Sequence, residues 1–234
     1  MMRLFVLLAA VAMFCTQTFA ADLTVKAQPS FMSYPTGNGW FWGVSASGFG
    51  GTETSTAGGN GTMFGGKAGF DFGYTGTIAG TMYFVEQSFS AQAVNGSPTL
   101  ISAAFSMEQR LAVGVPPALF QQWLQLTGLN TVSMPTVGGI QPPGTTLVSS
   151  APYASIQLYE DDVSLQLGNM TGKSWLFSYG VGAGILNRLN NGWVLDTSIE
   201  WKHAASGMLI GAGPAVGFAR PFNDAFIGTV RVKF

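Results

Sequence analysis

A chain of 234 residues carrying 9% charged positions is long enough for one all-β domain but far poorer in charge than the usual quarter of residues. One histidine and one cysteine leave no soft-ligand set for zinc, and ten Lys and Arg against eleven Asp and Glu give no basic excess for nucleic acid. Beyond residue 20 no apolar run is long enough for a membrane helix, so the greasy composition has to be spread by alternation.

Residues 1–20 read as a secretory signal peptide: Arg3 is a basic start, Leu4 to Phe14 an apolar run too short to span a bilayer, and Ala20 a small residue before Ala21-Asp22. A lipoprotein signal using Cys15 is the alternative, against which bulky Phe14 stands. Removing the leader takes Cys15 and Arg3 with it, leaving nine basic residues against eleven acidic and no disulfide chemistry. Residues 21–38, with Pro29, Pro35 and Gly37, read as an N-terminal tether leading into the fold, and 39–234 as the folded domain.

From Gly39 a period of two begins. Strand one sets Trp40, Trp42, Val44 and Ala46 against Gly43, Ser45 and Ser47; Gly48 to Gly61, rich in Gly, Thr and Ser, reads as a mobile loop. Strand two, about Met63 to Tyr74, sets Phe64, Phe70, Phe72 and Tyr74 against Lys67, Gly69, Asp71 and Gly73. A turn at Thr75-Gly76 leads to strand three, about Thr77 to Phe89, where Met82 and Phe84 fall irregularly on the Glu86 face. Strand four, about Leu100 to Val113, sets Phe105, Met107 and Leu111 against Ser106, Glu108 and Arg110. Pro116-Pro117 then open an insertion, 115–145, in which Leu119, Phe120, Trp123, Leu124 and Leu126 recur at helical spacing. A short amphipathic helix over 117–128 is expected between strands four and five, packed on the barrel rim or in its mouth, with a partner-binding or membrane-surface role as the alternative.

Strand five lies within Thr146 to Glu160, with Asp161-Asp162 as a polar connection. Strand six, about Ser174 to Leu186, sets Trp175, Phe177, Tyr179, Val181 and Ile185 against Ser178, Gly180, Gly182 and Gly184. After an Asn and Gly turn at 187–192, strand seven sets Trp193, Leu195, Ile199 and Trp201 against Asp196, Ser198, Glu200 and Lys202. The last stretch, Phe226 to Phe234, puts Val230, Val232 and Phe234 opposite Arg231 and Lys233. Such strands specify a closed antiparallel up-and-down transmembrane β-barrel of eight strands, with a soluble β-protein as the competing reading. Gly207 to Ala219 alternates as well, which leaves ten strands as an alternative.

The faces also sort the chemistry. Lys67, Asp71, Glu86, Glu108, Arg110, Asp196, Glu200, Lys202, Arg231 and Lys233 all oppose the aromatic face, five of each sign, and are expected to fill the lumen as an ion-pair network. The interior glycines 69, 73, 180, 182 and 184 argue instead for room for water. Trp40, Tyr74, Trp175, Trp193 and Trp201 sit near strand ends, where interfacial girdles lie. Glu200, His203 and Ser206 invite comparison with a hydrolase site, but alternation puts His203 outward and Glu200 inward, so no enzyme activity is expected, and no cofactor or metal. The reading is a structural or surface-interaction protein of the bacterial envelope, the alternatives being a narrow channel for small solutes and, more remotely, an acyl hydrolase.

The stretches AADLTVKAQP and NGWFWGVSASGFG, the segment YGVGAGILNRLNNGWVLDTSIEWK and the terminal VRVKF resemble, in that order, the start, first, sixth, seventh and closing strands of small alphaproteobacterial outer-membrane barrels related to opacity proteins and surface antigens. Together they span about half of the chain past the leader. The resemblance implies an eight-stranded barrel in the cell outer membrane with both ends in the periplasm. It further implies that Val230, Val232 and Phe234 act as the signal read by the barrel-assembly machinery, and that outer-membrane lipid and lipopolysaccharide surround the wall. It carries no catalytic residues. On that orientation the 115–145 insertion falls on the periplasmic side, where such barrels keep connections short.

Overall fold

The computed structural model describes residues 39–78, 81–97, 100–116, 119 and 147–234. The expected signal peptide and tether, the 117–128 helix apart from Leu119, and the Pro and Gly stretch after it lie outside the described residues. Nine strands follow in chain order: β1 (Gly39–Ser55), β2 (Gly59–Ile78), β3 (Thr81–Ser97), β4 (Leu100–Gly114), β5 (Leu147–Leu167), β6 (Met170–Leu189), β7 (Val194–Ala204), β8 (Met208–Ala212) and β9 (Ala215–Lys233). Each pairs antiparallel with its neighbour, and β9 pairs with both β7 and β1, from Gly43 opposite Lys233 to Ser55 opposite Ala219, so the sheet closes into a ring.

The ring has eight strand positions, not ten. Short β8 pairs with the upper part of β9 and touches β6 at Thr171 opposite Gly211, so it continues the position of β7 after a break at Ala205 to Gly207. The alternation read in Gly207 to Ala219 is therefore real, but it raises the wall instead of widening it.

Three further expectations are corrected, all in the direction of longer strands. Gly48 to Gly61 is not a loop: β1 and β2 run through it, paired from Gly48 opposite Gly66 to Ser55 opposite Gly59, with a turn only at Thr56 to Gly58. Glycine is admitted because backbones crowd there. A Cβ on Gly51 would run into the Asp224 carbonyl and the Ala225 side chain of β9. Thr75-Gly76 is likewise inside β2, opposite Phe84 and Tyr83. Asp161-Asp162 is mid-strand in β5, opposite Leu176 and Trp175 of β6, because hydrogen-bonding neighbours on both sides outweigh a local polar pair.

Among the described residues one non-glycine takes a left-handed backbone, Phe222 at φ 54°. It sits where β9 shifts register against β1, between Arg220 opposite Thr54 and Asp224 opposite Thr52. This bulge turns Phe222 inward, where its ring meets Phe49 at 5.8 Å and its amide points at the Met63 sulfur. Such a conformation costs about 1–3 kcal/mol, and burial of a phenyl ring offsets it.

Outside, the apolar belt runs from Trp175 to Ile185 on β6 and from Phe226 to Phe234 on β9, the roughly nine to eleven residues that a tilted strand needs to cross hydrocarbon. Trp40 is 77% exposed, Ile199 70% and Phe226 65%, levels that a soluble barrel would not tolerate together. Trp40 packs edge-on against Tyr74 at 5.4 Å and Trp193 against Phe234 at 4.8 Å at the end where β1 begins and β9 finishes. Trp175 lies 6.2 Å from Phe105, and Trp201 6.4 Å from Tyr179, nearer the other end.

Closure of β1 on β9 can be tested at Gly43, where a Cβ would collide with the Val232 carbonyl and Lys233. Gly43→Val is expected to destabilise the folded form by about 1–3 kcal/mol, seen as a lower urea midpoint for the band that migrates fast on unheated gels. Gly48→Ala, whose Cβ meets open space, should leave that midpoint unchanged.

Candidate functional site

The lumen is filled in three layers. Nearest the Gly39 end, Met82, Phe84, Ala112, Tyr153 and Leu186 form an apolar plug, with Phe41 and Val194 against it. This accounts for the irregularity in strand three: Met82 and Phe84 share the inward face with Glu86 because the lumen itself turns apolar below the charged layer. At the far end a larger cluster, including Phe49, Met63, Val94, Val163, Leu165, Leu176, Ile210 and Phe222, closes the other mouth.

Between the plugs lie all ten charged residues expected there, every side chain buried. Four of them form a square of alternating charge. Arg110 on β4 contacts Glu86 and Asp196 at 2.6 Å each, and Lys233 on β9 contacts the same two at 2.7 and 2.9 Å. Tyr153 on β5 completes it, donating to Asp196 at 2.6 Å and accepting from Arg110 at 2.8 Å. Both cations also lie over the Phe84 ring, at 4.9 and 4.3 Å.

Arg231 on β9 joins this square to the next tier. Its guanidinium reaches Glu86 at 3.3 Å, Glu108 across the lumen at 2.9 Å and Glu200 at 3.3 Å, and donates to Ser198 at 2.9 Å. Lys67 on β2 takes the other oxygen of Glu108 at 2.7 Å, and Tyr159 donates to Glu200 at 2.8 Å. Above them Lys202 pairs with Asp161 at 2.5 Å and lies 4.6 Å from the Tyr159 ring centre and 4.2 Å from that of Phe222. Asp71 makes no ion pair among the described residues; Ser45 donates to it at 3.2 Å.

Asp161, Tyr153, Tyr159 and Gln92, which donates to Asp161 at 3.2 Å, belong to the network without having been singled out in the sequence. The signal was present: Tyr153, Ser155, Gln157, Tyr159, Asp161, Val163 and Leu165 are spaced by two. The acidic pair is split between faces, Asp161 inward to Lys202 and Asp162 outward to Lys173 at 3.3 Å. The interior glycines hold side chains and not solvent, since a Cβ on Gly184 would strike the Tyr153 ring, one on Gly180 the Tyr159 ring and one on Gly73 the Phe41 ring.

The structure does not assemble Glu200, His203 and Ser206. Glu200 points into the lumen, whereas His203 lies outward, 3.0 Å from Asp224 and beside the Tyr179 and Trp201 rings. Ser206 accepts the Phe177 amide at 2.8 Å.

No protein-family model matches the sequence, and no curated protein matches it. Among solved structures, neisserial surface protein A is similar at 16% identity and a TM-score of 0.43, over 84% of this chain and 99% of that one. The outer membrane protein OprG from Pseudomonas aeruginosa matches at 10% and 0.44, over 85% and 96%. Ail, the attachment invasion locus protein of Yersinia pestis, matches at 9% and 0.35, over 85% and 100%. An alphaproteobacterial source is not shown by these three.

Removing the hub of the network should be costly: Arg231→Met takes a partner from Glu86, Glu108 and Glu200, leaves Glu200 without an ion pair among the described residues, and is expected to lose about 3–5 kcal/mol in urea unfolding. Lys173→Ala, a pair at the surface with the lysine 69% exposed, should stay within about 0.5 kcal/mol.

Proposed function

We propose that this protein is a non-conducting barrel of the bacterial outer membrane whose role is structural and surface-interactive, stiffening the envelope and presenting a wall above the membrane. The observation that carries the reading is a lumen packed from end to end, apolar at both mouths and ion-paired between them, inside an apolar belt of membrane height. A channel needs a continuous wet path, and the residues lining the axis here are buried instead. Lipid and lipopolysaccharide would surround the belt. Val230 and Val232, on the outward face of β9 where it seals the ring, and Phe234 directly after it would be presented to the barrel-assembly machinery.

The surface-interaction part rests on the end away from Gly39 and Lys233. There β5, β6, β8 and the start of β9 continue past the belt, carrying Asp162, Ser164, Gln166 and Lys173 outward. On the β8–β9 hairpin, Leu209 and Val216 are 69% and 68% exposed, and Phe218 is paired opposite Leu209. An exposed apolar cluster on a paired hairpin above a charged collar is suited to be a contact surface. No catalytic role is proposed.

Two measurements test the reading. The protein should be recovered from outer membranes and show heat-modifiable migration, and in planar bilayers it should give no stable conductance. Long-lived channels of uniform size would overturn the packed-lumen reading and restore the solute pore.

A further inference from the structure

The break between β7 and β8 and the bulge in β9 stand side by side. Pairing of β7 with β9 ends at His203 opposite Asp224, and pairing of β8 with β9 begins at Met208 opposite Ala219, so 204–207 and 220–223 pass each other without a shared ladder position. In the break, the Phe177 carbonyl accepts the amides of both Ala205 and Ser206, at 2.9 and 3.1 Å, which ends the β7 ladder. In the bulge, Pro221 has no amide hydrogen for a ladder and Phe222 takes its left-handed backbone. A single bulge bends its own strand, whereas two adjacent strands interrupted at one level make a hinge line.

Beyond that line lies the β8–β9 hairpin. Its inward residues Met208, Ile210 and Ala219 belong to the apolar plug at that mouth. Its attachment to the frame is thin. One ladder position joins it to β6, Thr171 opposite Gly211. At the end of β1, Ser55 stands opposite Ala219, the Thr56 amide donates to the Phe218 carbonyl at 2.9 Å, and the Phe218 amide donates to the Thr56 hydroxyl at 2.8 Å. The plug at the Gly39 end is built instead on β3, β4, β5 and β6, in the continuously paired part of the wall.

We propose that the β8–β9 hairpin is a hinged lid over the mouth away from Gly39, moving as one piece about 205–207 and 221–223. Swinging outward withdraws Met208, Ile210 and Ala219 from the plug. It also frees Phe222 to leave the left-handed region, so the strain that burial of its ring holds in place favours opening once that burial is lost. Lys202, whose ammonium lies 4.2 Å from the Phe222 ring centre, then comes to the floor of a cup. The cup is blind, because the ion pairs and the plug at the Gly39 end stay where they are. The lid therefore accords with a barrel that does not conduct, and it places the least firmly held part of the wall on its outer rim.

The test uses the full chain in micelles, with Cys15→Ser throughout and the heat-modifiable band as the check that each variant folds. Ile210→Cys, on the underside of the lid, should react with a maleimide at least about tenfold faster than Ala112→Cys in the other plug, although the native side chains are 1% and 0% exposed. Met208→Cys, at 3% exposure, takes its place if Ile210→Cys does not fold. A disulfide staple from Thr171→Cys to Gly211→Cys, across the ladder position shared with β6, should slow amide hydrogen exchange over 208–219 by at least about tenfold, and reduction should restore it. Equal reactivity of the two plugs, or exchange that the staple leaves unchanged, would overturn the lid. Planar bilayers separate this inference from the packed-lumen reading: conductance that appears on reducing the staple keeps the lid and removes that reading, whereas a fixed hairpin on a non-conducting barrel removes the lid alone.

Discussion

Backbone hydrogen bonding across the seam between β1 and β9 is the constraint on which the rest of the molecule depends. In hydrocarbon a sheet edge has no water to satisfy its amides and carbonyls, so the sheet is viable only when the last strand finds the first. The seam meets that need from Gly43 and Lys233 at one end to Ser55 and Ala219 at the other. Its residues show the cost of closeness: Gly43 and Gly51 stand where β9 leaves no space for a Cβ. Where the two strands cannot keep step, the Phe222 bulge absorbs the mismatch and sends a ring into the core.

Closure with eight positions fixes a lumen about as wide as two facing side chains. Nothing in that geometry demands charge in the middle, since large apolar residues already fill both mouths. Burying ions is expensive, and a well-packed apolar substitute is often at least as stable. The network is affordable because nearly every carboxylate has two or more partners: Glu86 meets Arg110, Lys233 and Arg231, and Glu108 meets Lys67 and Arg231. Tyrosine hydroxyls and serines take up remaining oxygens.

How much of this could be read from the chain depended on whether a local pattern or a distant partner decides the structure. Alternation in Phe226 to Phe234 and in Ser174 to Leu186 is strong, and it placed both the strands and the faces of Arg231, Lys233 and Tyr179. It failed where composition imitates a loop. Gly48 to Ser55 and Asp161-Asp162 are strands because of neighbours that are remote in sequence, β9 for the first and β6 for the second, and no window of ten residues contains that information. The inward charges were legible one by one, yet their pairing was not. Arg231 and Glu108 are 123 positions apart and meet only because the ring closes.

Register explains why the middle of the lumen is ionic at all. Sliding β9 by one residue against β1 would reverse every side chain on it, sending Arg231 and Lys233 toward lipid at a cost that rises with depth to about 2–4 kcal/mol per charge at the midplane, and dragging Phe226 inward. A slide by two keeps the faces but moves Lys233 away from Glu86 and Asp196, and Arg231 away from Glu108 and Glu200, leaving carboxylates buried without partners. An all-leucine interior would penalise the first error only weakly and the second hardly at all. The square of Arg110, Glu86, Lys233 and Asp196 draws on β3, β4, β7 and β9, so one misplaced strand leaves its partners unpaired on the others. The charges thus contribute less to how tightly the barrel holds than to which of its near-equivalent registers it adopts.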